Sequence, residues 1–441
     1  MLFRRNLLLL LLFAITFNGI AQITGVPLKY PGKILIPIDY ESDIKFSLQK
    51  NGKIVVAGTT GKGDNSNIFI ARYTAEGNLD QTFASNGIAN IDILGFQDIL
   101  VSLNILPDDK IIVGAVADDE FSYRTLRNKL VIMKFTENGQ YDNSFADNGR
   151  YVEYADSKYK GLMNIDCDAE MKIAGIRIYD SHNQFDYGVF RFNSDGSKDE
   201  GFGQNGSVNG SIRIFDDPPM DLAIQNDGKI LIVGQSQTGP PPSYMKTKGN
   251  PIDVYVTRLN ADGSLDNTFG DNGKLITMIK KGYNLPRKIS VLPSGKIFVT
   301  GSVTVSKNKA YAPVFKFLNN GFYDTSFADK GLLTVSFGNK NVATDLKIID
   351  DDNLYLTGTA IKNNFQNTFL CKIKEDGSFD TSFNKKGYLI LNTYSYNPKI
   401  AVCDNSNIVL GSIIKIGNNY FYMLTRYSSK GKIDNTFGKN N

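Results

Sequence analysis

Seven aspartates recur along the chain, Asp80, Asp142, Asp199, Asp266, Asp324, Asp380 and Asp434, and equivalent carboxylates are what a set of repeated cation or ligand sites would need. Six of them sit in the pattern Gly-x-x-Asp-x-(Ser/Thr)-Phe, at Gly77–Phe83, Gly139–Phe145, Gly263–Phe269, Gly321–Phe327, Gly377–Phe383 and Gly431–Phe437. The seventh, Gly196–Phe202, has Gly201 in place of the hydroxyl residue. A basic side chain stands eight residues before each aspartate: Arg72, Lys134, Arg191, Arg258, Lys316, Lys372 and Arg426. This spacing points to structure rather than catalysis. Asp followed by Ser/Thr and Phe predicts a short capped turn whose carboxylate accepts backbone N–H bonds. Phe83, Phe145, Phe202, Phe269, Phe327, Phe383 and Phe437 would pack inward, and the basic residue would neutralise the turn.

Other chemistry is thinly supplied. His182 is the single histidine, with no second imidazole for a metal or acid–base pair. The acidic runs Asp118-Asp119-Glu120, Asp216-Asp217 and Asp350-Asp351-Asp352 fall in expected turns and lack the alternating spacing of a calcium loop, so they read as solvated turn acids. No Gly-x-Ser-x-Gly, His-Glu-x-x-His or phosphate-binding glycine loop occurs. No catalytic residue, metal or cofactor is therefore expected. Carboxylates from different repeats meeting across a channel are the catalytic arrangement left open. Cys167, Cys371 and Cys403 are odd in number and few for an exported chain, so they read as buried free thiols.

The elements that position these residues follow from the repeat itself. The aspartates lie 54 to 67 residues apart. Most copies carry an earlier element, as in NGKIVVAG (51–58), NDGKILIVG (226–234) and SGKIFVTG (294–301). Ile, Val, Tyr and Phe dominate, without a helical period, and each copy reads as four short strands, in the first about 44–49, 53–58, 67–74 and 87–93. The Asn51-Gly52 turn joins the first two, and the aspartate motif lies between the third and fourth. Such units cannot bury both faces alone, and radial stacking covers them. The expected fold is all-β, a seven-bladed β-propeller with four antiparallel strands per blade. Blades are placed at about 43–93, 98–155, 160–214, 219–281, 286–338, 342–394 and 398–438. The seventh copy lacks a fourth strand, and residues 32–40, similar to 273–277, are expected to supply it and close the ring. Pro37 suits an outer edge strand. In the third copy the second strand (171–175) reads as shortened and that blade as irregular.

These repeats resemble the delta-60 repeat family of bacterial exported β-propeller proteins over roughly residues 30–441. The resemblance implies a propeller but no assigned reaction. The turn differs from the Asp-box of sialidase propellers, lacking its Gly between Asp and Thr and carrying Phe in place of Trp.

Arg4 and Arg5, the apolar run 7–17, and Gly19 and Ala21 before Gln22 read as a signal peptide over residues 1–21, so the mature chain is expected to be periplasmic, secreted or cell-surface associated, with no integral membrane segment. Without Arg4 and Arg5, 47 basic side chains face 45 acidic ones, which gives no case for nucleic acid. Binding is expected on the face of the long connections between second and third strands, 117–129, 179–187, 235–251 and 304–311. Candidates there are Phe121, Tyr123, Arg124, Arg127, Tyr179, His182, Phe185, Tyr187, Tyr244, Lys246, Lys248 and Tyr311. The function so read is a non-catalytic binding scaffold for a protein or envelope component. The alternative is a carbohydrate-binding or carbohydrate-cleaving propeller, against which the absence of Trp weighs.

Overall fold

The structure is a computed structural model and describes residues 28–39, 44–61, 63–118, 129–153, 158–181, 184–239, 251–277, 283–350, 353–393 and 395–439. The described residues are almost entirely strands and turns, with one short 3-10 turn at Gly63–Asn65. No helix among them is long and apolar enough to cross a membrane.

The first copy forms an antiparallel sheet of Ile44–Leu48, Ile54–Thr60, Asn67–Tyr73 and Ile88–Ile91, in that order. The second (Asp98–Ile105, Ile111–Ala117, Lys129–Phe135, Arg150–Glu153) and the third (Tyr159–Cys167, Ile173–Asp180, Phe185–Phe192, Ser207–Gly210) repeat it. Copies four to six have the same internal order but join into one twelve-stranded sheet through single parallel bridges, Ile252 to Tyr283 and Ala310 to Lys340. The seventh copy supplies Ser395–Val402, Ile408–Ile416 and Asn419–Tyr427. Lys33–Ile38 pairs antiparallel with the last of these, Lys33 opposite Thr425 and Ile38 opposite Tyr420. Leu28–Tyr30 then folds back on Lys33–Leu35, so this sheet has five strands rather than four. Pro37 lies beyond the stretch that Leu28–Tyr30 covers, where an edge tolerates a missing N–H.

Two expectations need correction here. The second strand of the third copy is not shortened: Ile173–Asp180 is eight residues long, because the chain keeps alternating past Gly175 into Ile176, Ile178 and Asp180. Its irregularity lies in the first strand, where the pairing shifts register on both sides of Leu162. The connection at 304–311 is a tight hairpin, with strands running to Ser306 and from Lys309.

Apolar side chains on both faces of the second and third strands explain where the core sits. Each main cluster lies between neighbouring copies, as with Val55, Ile70 and Phe83 against Leu103, Val113 and Met133. Another joins Ile34, Ile36, Val409 and Leu424 to Ile54, Val56 and Phe69. The first strands of successive copies lie side by side, and Ser395–Val402 lies against Ile44–Leu48.

Candidate functional site

At one rim, the aspartate motif builds the same lock in copy after copy. Asp80 Oδ1 accepts from the Thr82 amide (3.1 Å) and hydroxyl (2.7 Å), while its Oδ2 takes Arg72 Nε and Lys53 Nζ, each at 2.8 Å. The second cation recurs as Lys110 on Asp142 (3.0 Å), Lys172 on Asp199 (3.3 Å), Lys229 on Asp266 (3.0 Å) and Lys296 on Asp324 (3.6 Å). The cation eight residues back sits at 2.8 to 3.7 Å in all seven copies, with Lys372 on Asp380 and Arg426 on Asp434 completing the set. Asn407 replaces the second lysine at Asp434, donating at 3.3 Å. In the third copy the Gly201 amide still reaches Asp199 at 3.1 Å, so the turn survives without the hydroxyl.

The phenylalanines Phe83, Phe145, Phe202, Phe269, Phe327, Phe383 and Phe437 are all fully buried. The cation lies over the ring in most copies, as with Arg191 4.5 Å from the centre of Phe202. Burial alone would raise the Asp142 carboxyl, but the Ser144 hydroxyl, the Lys110 ammonium and the Ser144 amide outweigh it and hold it at about 2. Asp380 is likewise held at about 2 against burial by Lys372 and Ser382. A carboxylate so engaged is a structural strut.

Each lock also grips the next copy. The amide following each Phe donates to a turn carbonyl one copy on: Ala84 to Asn138, Ala146 to Asp195, Gly203 to Asp262, Gly270 to Asn320, Ala328 to Asp376 and Asn384 to Lys430. Gly438 donates to Glu76 of the first copy at 2.8 Å. Arg72 and Arg258 reach the Glu137 and Asn319 carbonyls at 2.5 Å, and Arg426 reaches that of Ala75. The motif glycine is needed on the receiving side. Gly139 has φ +81° and a Cβ there would stand 2.5 Å from the Phe83 ring.

The opposite rim carries the long connections. Phe121, Tyr123, Arg124, Arg127, His182, Tyr244, Lys246 and Lys248 lie outside the described residues. Phe185 is exposed at this rim, beside the link residue Ile214, which is 74% exposed. Gln184 Nε2 donates to the Ile214 carbonyl (2.6 Å) and the Phe185 amide to Asp216 (3.0 Å), which ties the start of this strand to the link that carries Ile214. Tyr179 is half-buried and pairs with Tyr159, ring centres 5.6 Å apart, with the Arg177 guanidinium 3.3 Å over Tyr159. Tyr311 is half-buried beneath Lys309. Tyr283 and Phe365 are exposed on the same rim.

Tyr187 does not belong to this surface. It lies in a third strand that is covered on both faces, where it is 4% exposed and faces Tyr255. Nor is Asp217 a solvated turn acid. It is fully buried, and its Oδ2 accepts the Ile212 and Arg213 amides of the link between copies. Asp98 does the same for Ile93 (2.9 Å), and Asn341 for Phe337 and Gly338. Burial, with the nearby Asp92 and Asp118 charges, pushes the Asp98 carboxyl up to about 7 despite the Ile93 hydrogen bond. All three cysteines are free, but only Cys371 is buried; Cys167, the last residue of its first strand, and Cys403, just past the end of its own, are half-buried at a polar opening.

Between the first strands runs a polar channel, with a cavity of about 540 Å³. The backbone register places Lys45, Ser102, Asn164, Asp221, Lys288, Asp345 and Lys399 at one level, one from each copy. Ser102 donates to Asn164 (2.8 Å), Asn164 to Asp221 (2.5 Å), and Lys288 Nζ stands 3.1 Å from Asp221. Asp345 accepts the Leu346 and Ile400 amides at 3.0 and 2.8 Å. Burial pushes the Lys399 ammonium down to about 8, with Lys45 and Lys288 adding and Asp345 opposing. Burial raises Asp166, two residues further along its strand, to about 6 against the pull of Lys288. Sequence reasoning missed these channel residues, because lone Lys and Asp in short strands carry no motif. It also missed the second lysine of the first five locks, for which the recurring Gly-Lys of 52–53, 228–229 and 295–296 was the available signal.

Residues 49–83 and 225–269 match a family model described as a β-propeller domain of unknown function. No curated protein sequence matches the chain. Among solved structures, a polysaccharide lyase described as an ulvan lyase of a new family aligns with TM-score 0.52 and 11% identity, over 94% of this chain and 98% of that one. Such a lyase with bound saccharide gives 0.51 and 10%, over 94% and 98%. A protein of unknown function from Dyadobacter fermentans gives 0.46 and 10%, over 92% and 100%. At such identities the likeness is one of fold alone. With its all-β sheets and its match to that family model, the chain is a β-propeller protein.

Proposed function

We propose that this is an exported, non-catalytic propeller of seven blades, closed by its N-terminal strand, that binds a protein or envelope component through its long-connection rim. Closure is supported by the amide bonds that pass from copy to copy and by the bond from Gly438 back to Glu76. The pairing of Lys33–Ile38 with Asn419–Tyr427 supports it as well. The binding reading is carried by one observation. The lock rim exposes single turn side chains such as Phe322 but repeats the same contacts, whereas the other rim varies in length and exposes Phe185, Ile214, Tyr283 and Phe365. Exposed aromatic and apolar side chains on a rigid frame suit a partner interface. The test is chemical cross-linking of the purified protein to its native envelope fraction. A specific partner captured by the wild type and lost in the Phe185→Ser, Ile214→Ser double variant supports the reading, and undiminished capture overturns it.

The second reading is a carbohydrate-active propeller. Its support is the channel, whose wall carries Asp166, Asp221 and Asp345 from three copies. A glycan panel followed by tyrosine fluorescence tests it, a saturable change with one sugar class being the expected result.

A further inference from the structure

The channel is electrically lopsided. Lys45 and Lys399 come from the first and seventh copies, whose first strands are neighbours, and Lys288 and Lys347 follow round the same side. The acids Asp166 and Asp221 stand on the other side, in copies three and four. Asp221 is already engaged by Asn164, Lys288 and the Ile289 amide. Asp345, the acid among the cations, is held by two backbone amides. Next to Lys45 the wall turns neutral and hydrogen-bonding, with Ser47 two residues along the strand and Ser102 and Asn104 in the next copy. Positive groups gathered in a recess of restricted water concentrate anions far more than the same groups spread on a surface.

We propose that the channel binds a small hydroxylated carboxylate, such as a sugar acid, its carboxylate between Lys45 and Lys399 and its hydroxyls on Ser47 and Asn104. A carboxylate meets two ammonium groups there in charge-assisted hydrogen bonds, Lys399 keeping donors beyond the one it gives the Thr344 carbonyl. The Asn104 amide nitrogen already serves Ser102 and the Ile165 carbonyl, so its oxygen accepts from a sugar hydroxyl, while the Ser47 hydroxyl can donate or accept. The cavity is large enough for a monosaccharide and shares Ser47, Asp166 and Lys347 with a second recess lined by Gln49, Asp109 and Asp404. The inference names the site and ligand class for the second reading and does not depend on the loop rim. Its failure would leave partner capture at Phe185 and Ile214 unaffected, and a response of the glycan panel to neutral sugars alone would support the second reading while rejecting this site.

The experiment is isothermal titration of the full mature chain with glucuronate, with glucose as the neutral counterpart. Saturable binding of glucuronate, at least tenfold tighter than glucose and weakened severalfold at 0.5 M salt, is expected. The Lys45→Met, Lys399→Met double variant should lose it at least tenfold while keeping its far-ultraviolet dichroism. Because that variant removes two channel charges together, Lys45→Met alone serves as a milder check and should weaken binding severalfold. No binding by the wild type, equal binding of glucose, or full binding by a folded double variant overturns the proposal.

Discussion

The two rims of this molecule use the same side chain in opposite ways. On the lock rim, Asp266 is buried but meets Arg258 at 2.8 Å, Lys229 at 3.0 Å and the Thr268 amide and hydroxyl at 3.0 and 2.6 Å, so it stays charged. On the connection rim, Asp98 is buried with one backbone amide on Oδ2 and other acids nearby, so it prefers to be neutral. The difference lies in what surrounds the carboxylate rather than in its depth. The lock rim joins consecutive copies by contacts that recur, and a recurring contact tolerates little change. The connection rim joins them by links that an Asp, an Asn or a Ser can begin, at Asp98, Asn284, Asn341 and Ser395. That tolerance is what leaves its loops able to vary.

The sharpest way to break the comparison is to remove one lock. Asp266→Ala leaves Arg258 and Lys229 without their shared counter-charge at a buried site. A loss of about 3–5 kcal/mol in urea unfolding is expected. A loss below about 1 kcal/mol would mean that the lock is ornamental and that the sheets hold by apolar packing alone. The receiving side should matter less. Gly321 has φ +86° and a Cβ there would come within 2.9 Å of the Phe269 ring, so Gly321→Ala should cost about 1–3 kcal/mol. The same substitution at Gly95, which has open space around it, keeps only the backbone part of that cost.

Acid and base should separate the rims further. Asp142 and Asp380, held at about 2, contribute stability that is complete above pH 4, their ordinary range, and is lost as pH falls toward 2. Asp98, raised to about 7, works the other way: its contribution is complete below pH 4 and fades as pH rises through 7. Melting temperature should therefore decline on both sides of a mildly acidic maximum. Asp98→Asn, which copies the residue found at positions 284 and 341, should flatten the alkaline limb and add about 1–2 kcal/mol at pH 8. An unchanged alkaline limb would show that Asp98 titrates normally.

Much of the lock rim was legible in the sequence because it is periodic. The eight-residue offset from Arg258 to Asp266 gives away a contact that every copy makes, and the motif Phe must be buried wherever it recurs. That the motif glycine receives the preceding copy's Phe was not legible, since nothing in one copy marks which neighbour it touches. Tyr187 and Asp217 were misread for a related reason. Both lie near loops, yet one sits in a strand covered on both faces and a link wraps its amides around the other. The channel was legible least, because Lys45, Asp221 and Lys399 acquire meaning only when seven separate strands are set in register.

The smallest expected effect on stability belongs to the connection rim, and there the smallness is the point. Phe185 and Ile214 lie on the surface, tied together through backbone atoms and the side chains of Gln184 and Asp216. Replacing both apolar side chains with Ser breaks none of those bonds and removes only the covered part of the Phe185 ring, so stability should fall by no more than about 1 kcal/mol. Partner capture should nonetheless fall sharply, since a central apolar anchor contributes to binding out of proportion to its area. A loss of stability well beyond that range would place Phe185 and Ile214 in the frame of the molecule, and the contrast between a fixed rim and a free one would have to be redrawn at Tyr283 and Phe365.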